Sequence, residues 1–163
     1  MPKISLSQIS LPHIPPISIL APIAVYSVFV ILIRWGFAID FDIVFFIIGV
    51  VVGTMLLDIV EMVFAGGEKL FFKSIWGEVL FGVLSVFVIT ATSSASGAGV
   101  VRAYFLRMLM MQMEEFVSTG SVTMWFTNAR IVPSPMRSRI LLAGGFLLFL
   151  FETYLLYLAF QYR

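Results

Sequence analysis

Between Ile43 and Ala65 the chain reads IVFFIIGVVVGTMLLDIVEMVFA, a run long and apolar enough to cross a bilayer as one helix. Hydrocarbon leaves no partner for an unpaired backbone group, so such a run is confined to helix. Yet Asp58 and Glu61 lie inside it. Any fold for this chain must give those two carboxylates something other than lipid to face.

The rest of the composition agrees with a lipid-solvated chain. Only 12% of its 163 residues are charged and 61% are hydrophobic, with a mean hydropathy of +1.08. Soluble domains are about a quarter charged, so this chain cannot clothe a water-facing surface. A formal net charge of +1 with dispersed basic residues excludes a nucleic-acid footprint. No cysteine is present, which removes disulfides and thiol chemistry. The first apolar run comes too late, and without a small-residue cleavage site, for a signal peptide, so the first span is expected to be retained.

Residues 1–20, MPKISLSQISLPHIPPISIL, alternate apolar and polar and carry Pro12, Pro15 and Pro16. Prolines oppose helix and favour extended backbone, so this segment reads as an arm at the membrane interface. His13 within it has no second histidine to share a metal with. Residues 21–163 then read as a single helical membrane domain. Its first span covers about 21–39, with Pro22 in the opening turn and Arg34-Trp35 as an interfacial anchor. Asp40-Phe41-Asp42 makes a tight turn into the second span, about 43–65. Its Gly49 and Gly53 form a GxxxG on a face away from Thr54, Asp58 and Glu61.

The third span covers about 75–97, with Glu78, Gly82, Ser85, Ile89 and Thr92 on one small, polar ridge suited to helix contact. TATSSASGAG (90–99) reads either as its loosening end or as a break. The following VVRAYFLRMLMMQMEEFV holds Arg102, Arg107, Glu114 and Glu115. Each charge at a bilayer centre costs about 2.5–3.5 kcal/mol on insertion scales. The expectation is therefore a connecting helix, about 98–117, at or beyond the interface. A loop ending in a Pro-punctuated basic run leads to the fourth span, about 138–161, where Gly145 and Leu148 share the face of Glu152.

At about 1.5 Å per residue, a four-span up-and-down bundle places Asp58, Glu61, Glu78 and Glu152 in one acidic layer. Lys69 and Lys73 are the nearest cations. The layer is the candidate site, either structural or ion-handling, since intramembrane acids mark ion paths often enough to warrant it. Gly49, Gly53, Gly82, Ser85 and Gly145 are the helix-packing candidates. No nucleotide, triad or zinc motif occurs, so no cofactor, metal ligand or catalytic residue is assigned. With four spans, basic residues divide almost evenly between the two faces, the denser arginines leaning toward a cytoplasmic long loop with both termini outside.

The sequence thus predicts an all-α integral membrane protein, a four-helix bundle with an added interfacial or protruding helix between spans three and four. It would be multi-pass, in the plasma (inner) membrane if prokaryotic, with the lipid bilayer as solvent. The expected role is non-enzymatic: a small subunit or scaffold of a membrane assembly, or a homo-oligomer. The alternative is a cation- or proton-coupled channel or transporter subunit using the acids.

Overall fold

The computed structural model describes residues 15–36, 40–63, 74–92, 94–126 and 133–161. Among these it contains five α-helices and no strand. Helix α1 (Ile17–Trp35) starts directly after Pro16, whose extended backbone (φ −61°, ψ 154°) sets the boundary. It therefore begins four residues before the predicted span. A proline restricts the residue ahead of it and leaves the one behind free to turn helical. Pro22 consequently sits in the second turn, where it removes the N–H that would have bonded the Ser18 carbonyl. The last turn closes on Gly36 at φ +58°, a conformation that favours glycine.

Helix α2 (Phe41–Val63) follows at once, and Arg34 near the end of α1 lies 3.6 Å from Asp42 at its start. The Arg34 guanidinium also stacks on Trp35, 4.2 Å from the ring centre, as an interfacial anchor would. Helix α3 (Ile75–Phe87) is capped by Ser74, whose hydroxyl accepts from the Gly77 N–H, and runs into a π-helical turn, Val88–Thr92. There it ends, short of the predicted residue 97. A new helix α4 (Ala95–Thr119) begins, with the Ser94 hydroxyl accepting from the Gly97 N–H at 3.2 Å. Of the two readings of TATSSASGAG, the structure takes the break. Serine three residues ahead of an available N–H is a strong N-cap, which lets α4 start here as a separate helix. Helix α4 stops at Gly120, in the left-handed region at φ 78°. A short 3₁₀ turn (Met124–Phe126) and helix α5 (Pro135–Gln161) complete the chain, α5 opening on proline at its first position.

Side-chain pairings fix the directions. Gly49, Gly53 and Asp58 of α2 meet Ser96, Val100 and Arg107 of α4 in the same order, so these two helices run parallel. Against α5 the order reverses: Arg102 meets Glu152 while Leu109 meets Gly145. Helix α1 also runs opposite to α4, and α3 runs with α5, pairing Ser85 with Glu152, Gly82 with Leu148 and Glu78 with Gly145. Helices α1, α3 and α5 therefore point one way, α2 and α4 the other. We call the side where α1, α3 and α5 begin proximal, and the side where α2 and α4 begin distal. This corrects the four-span arrangement, in which the last helix would run opposite to the first.

The largest correction concerns α4. Predicted as an interfacial connector over 98–117, it is the central helix of the bundle. Val101 to Leu109 are buried without interruption, and Gln112 is only 1% exposed. At 25 residues it is about 37 Å long. Its charges did not drive it outward because they are matched inside, as described below. By contrast, three helices are long and apolar enough to cross a membrane: Ile17–Trp35, Phe41–Val60 and Pro135–Leu158. Only 22–28% of those windows is buried. Their outward faces carry Val25, Phe29, Val44, Phe45, Leu147 and Phe151, all more than half exposed. A water-soluble protein does not present contiguous apolar faces of this extent. The third predicted span is a shorter apolar helix, Ile75–Ala91.

Glycine makes the centre possible. A Cβ at Gly49 would collide with the Ser96 carbonyl, one at Gly53 with the Val100 carbonyl, and one at Gly99 with the Phe46 carbonyl. The α2–α4 backbones thus touch directly, the arrangement that small residues give membrane helices.

Candidate functional site: three polar stations on the central helix

Arg102, Arg107 and Gln112 are spaced five apart on α4. Five residues turn a helix through about 140° and advance it about 7.5 Å, so each side chain reaches a different neighbour at a different height. The first station joins four helices. Arg102, fully buried, donates from Nη1 to Glu152 Oε2 at 2.8 Å and from Nη2 to the Phe149 carbonyl at 2.7 Å. It also donates to the Thr153 hydroxyl, and from Nε to the Tyr26 hydroxyl of α1 at 2.9 Å. The Phe149 ring lies 3.9 Å from the guanidinium carbon. Ser85 of α3 donates to the other carboxylate oxygen, Glu152 Oε1, at 2.5 Å. Every face of this pair is occupied by protein, as a charge pair out of water requires.

At the second station Arg107 grips Asp58 of α2 with two parallel bonds of 2.9 and 2.8 Å and also donates to the Thr54 carbonyl. This is the fork-to-fork geometry that guanidinium and carboxylate share. Thr54 and Asp58 do share a face of α2, as their spacing predicts. The glycine face is turned to the same partner, α4, and the length of the Arg107 side chain lets it reach around to the acid.

The third station differs. Glu78 Oε2 accepts from the Gln112 Nε2 at 3.0 Å and from the Trp125 indole N–H at 2.6 Å, the latter brought in by the 3₁₀ turn. Among the described residues no cation pairs with Glu78, and the buried Gln112 Oε1 has no hydrogen-bond partner.

Glu78 and Glu152 therefore lie seven helical residues apart in height, about 10 Å, and the acids are not gathered in one layer. The height estimate failed at Glu152 because it assumed four spans; the added helix α4 reverses the last helix and leaves α2 and α3, with Asp58 and Glu78, running as before. Glu61 lies on α2 with its side chain outside the described residues, as are Lys69 and Lys73. The cations that neutralise the acids are Arg102 and Arg107, assigned by sequence to an interface. Two arginines in an apolar stretch, matched by two acids in other apolar stretches, were the signal available. The packing candidates all sit at helix contacts: Gly49 and Gly53 on α4, Gly82 under Leu148, Ser85 on Glu152, and Gly145 against Leu109 and Glu78. His13 lies outside the described residues, and among those described no group of three His, Asp or Glu side chains could hold a metal ion.

No protein-family model, curated protein or solved structure matches this chain. Its function has to be argued from the stations themselves.

Proposed function

We propose that this chain is a multi-pass integral membrane protein acting as a non-enzymatic component, either a small subunit or scaffold of a larger membrane assembly or a homo-oligomer. The observation that carries the reading is how the buried acids are used. Glu152 is consumed in a fully buried ion pair that ties α5 to α4, and Asp58, 17% exposed, in a two-bond pair that ties α2 to α4. The described residues are almost entirely helical. Solubilisation in a mild detergent followed by sizing with mass detection should yield a complex heavier than the 18.2 kDa chain. A strictly monomeric species at membrane-like concentrations would sink the proposal.

One observation favours a second reading, a cation- or proton-coupled channel or transporter subunit. Among the described residues Glu78 pairs with no cation, and its Oε2 accepts from the neutral Gln112 amide and Trp125 indole. A carboxyl group inside a helical bundle, held by neutral donors, is the kind of group that marks a proton or cation path. Under the leading reading, proteoliposomes of the native chain and of Glu78→Gln show the same background flux. A native flux at least tenfold above background, abolished by Glu78→Gln but retained by Asp58→Asn, would establish the second reading instead.

A further inference from the structure

We infer that the proximal side of the bundle faces the cytoplasm, so that the chain preceding α1 is cytoplasmic and α5 ends outside. The inference rests on the membrane reading above and adds an orientation to it. Four spans divided the basic residues almost evenly. The observed helix directions redistribute them.

The connection carrying Lys69 and Lys73 joins the end of α2 to the start of α3, and that carrying Arg130 joins the end of α4 to the start of α5. Both pairs of helix ends are proximal. Arg137 and Arg139 occupy the first turns of α5 on the same side, and Lys3 belongs to the segment ahead of α1. Arg102 and Arg107, counted as loop charges in a four-span arrangement, are buried inside the bundle and drop out of the comparison. The distal side retains Arg34, which faces Asp42, and Arg163 beyond α5; acids occur on both sides, Asp40 and Asp42 distally, and Glu68 between α2 and α3 with Glu114 and Glu115 near the end of α4 proximally. The break between α3 and α4, also distal, brings no charge at all.

Lysines and arginines close to helix ends set membrane orientation, and acids contribute little. The asymmetry in lysine and arginine is thus a topogenic signal that places the proximal side in the cytoplasm.

The absence of native cysteine makes the test direct. Single substitutions Asp40→Cys (distal) and Ser118→Cys (the exposed proximal end of α4) are expressed in a bacterial inner membrane. A membrane-impermeant maleimide is then applied to intact and to permeabilised cells. Asp40→Cys should label in intact cells, and Ser118→Cys at least tenfold less until the membrane is opened. The reverse pattern overturns the orientation. Equal labelling of both in intact cells overturns the helix directions, because a non-crossing α4 would put both positions on one side. Partial labelling of both overturns a single fixed orientation. Carbonate extraction of the same membranes separates these results from failure of the membrane reading, since a protein released by carbonate was never integral.

Discussion

Replacing Arg102 with leucine should cost about 3–5 kcal/mol, the largest loss expected from any single side chain here. The change strands Glu152, which is fully buried and retains only the Ser85 hydroxyl as a donor. A buried ion pair is weak evidence of net stabilisation, but removing one member leaves an uncompensated charge, and that term dominates. Two companion variants separate the causes. Glu152→Gln leaves one carbonyl oxygen to accept from Arg102 and an amide to donate to the Ser85 hydroxyl, but it strands a guanidinium that cannot lose its charge, so its loss should match that of Arg102→Leu. The double variant Arg102→Leu with Glu152→Leu removes both charges and should recover at least half of the single-variant loss. Recovery stays incomplete because Tyr26 and Thr153 lose a donor. Reversible unfolding in mixed micelles measures all three. A double variant worse than the sum of the singles would show that the pair is not the unit that matters.

The second large effect is steric. Gly53→Ile should destabilise by about 3 kcal/mol or more, above the usual 1–3 kcal/mol for overpacking. At most core positions an intruding carbon displaces a side chain, but here it meets the carbonyl of Val100, which is held in the α4 backbone. Gly99→Val should behave alike, blocked by the Phe46 carbonyl and the Val50 nitrogen. Other glycines supply the contrast. At Gly82 a new Cβ meets only the flexible tip of Leu148 at 3.1 Å, so Gly82→Ala should cost less than about 1 kcal/mol. At Gly144 nothing lies within 4 Å, and alanine should stabilise α5 by about 0.5–1 kcal/mol through backbone entropy alone. If Gly53→Ile and Gly144→Ala proved equivalent under the same unfolding assay, direct backbone contact between α2 and α4 would be refuted.

These variants also show what could be read from the residues. The run from Ile43 onward declared itself a helix because its hydrophobicity is continuous and its length matches a bilayer. The inward face of Glu152 was legible because Gly145 and Leu148 recur at helical spacing with it, and local periodicity is what sequence displays best. The place of α4 was not legible. Hydropathy scores each arginine as though it faced lipid, whereas Arg102 finds its acid 50 residues on and Arg107 finds its own 49 residues back. No window of chain contains both members of either pair. The acidic layer failed at Glu152, whose height was counted from the wrong side of the bundle because the helix count was one short. At Ser94 the cap was readable, since serine with an N–H three positions on is a starting signal. What decided between cap and continuation was the need of α4 to turn back and run beside α2, a tertiary requirement.

The charge pairing of α4 also has a consequence for how the chain is made. During synthesis Arg107 meets a waiting acid, since Asp58 has already been threaded into the membrane when α4 arrives. Arg102 does not, because Glu152 is still untranslated. Until α5 emerges, the central helix therefore carries one guanidinium with no counter-charge, in a segment too polar to settle among acyl chains alone. Biogenesis should hold α4 at the insertion machinery until the last helix is delivered, and a nascent chain halted before residue 152 should be a substrate for membrane proteolysis rather than a smaller stable protein.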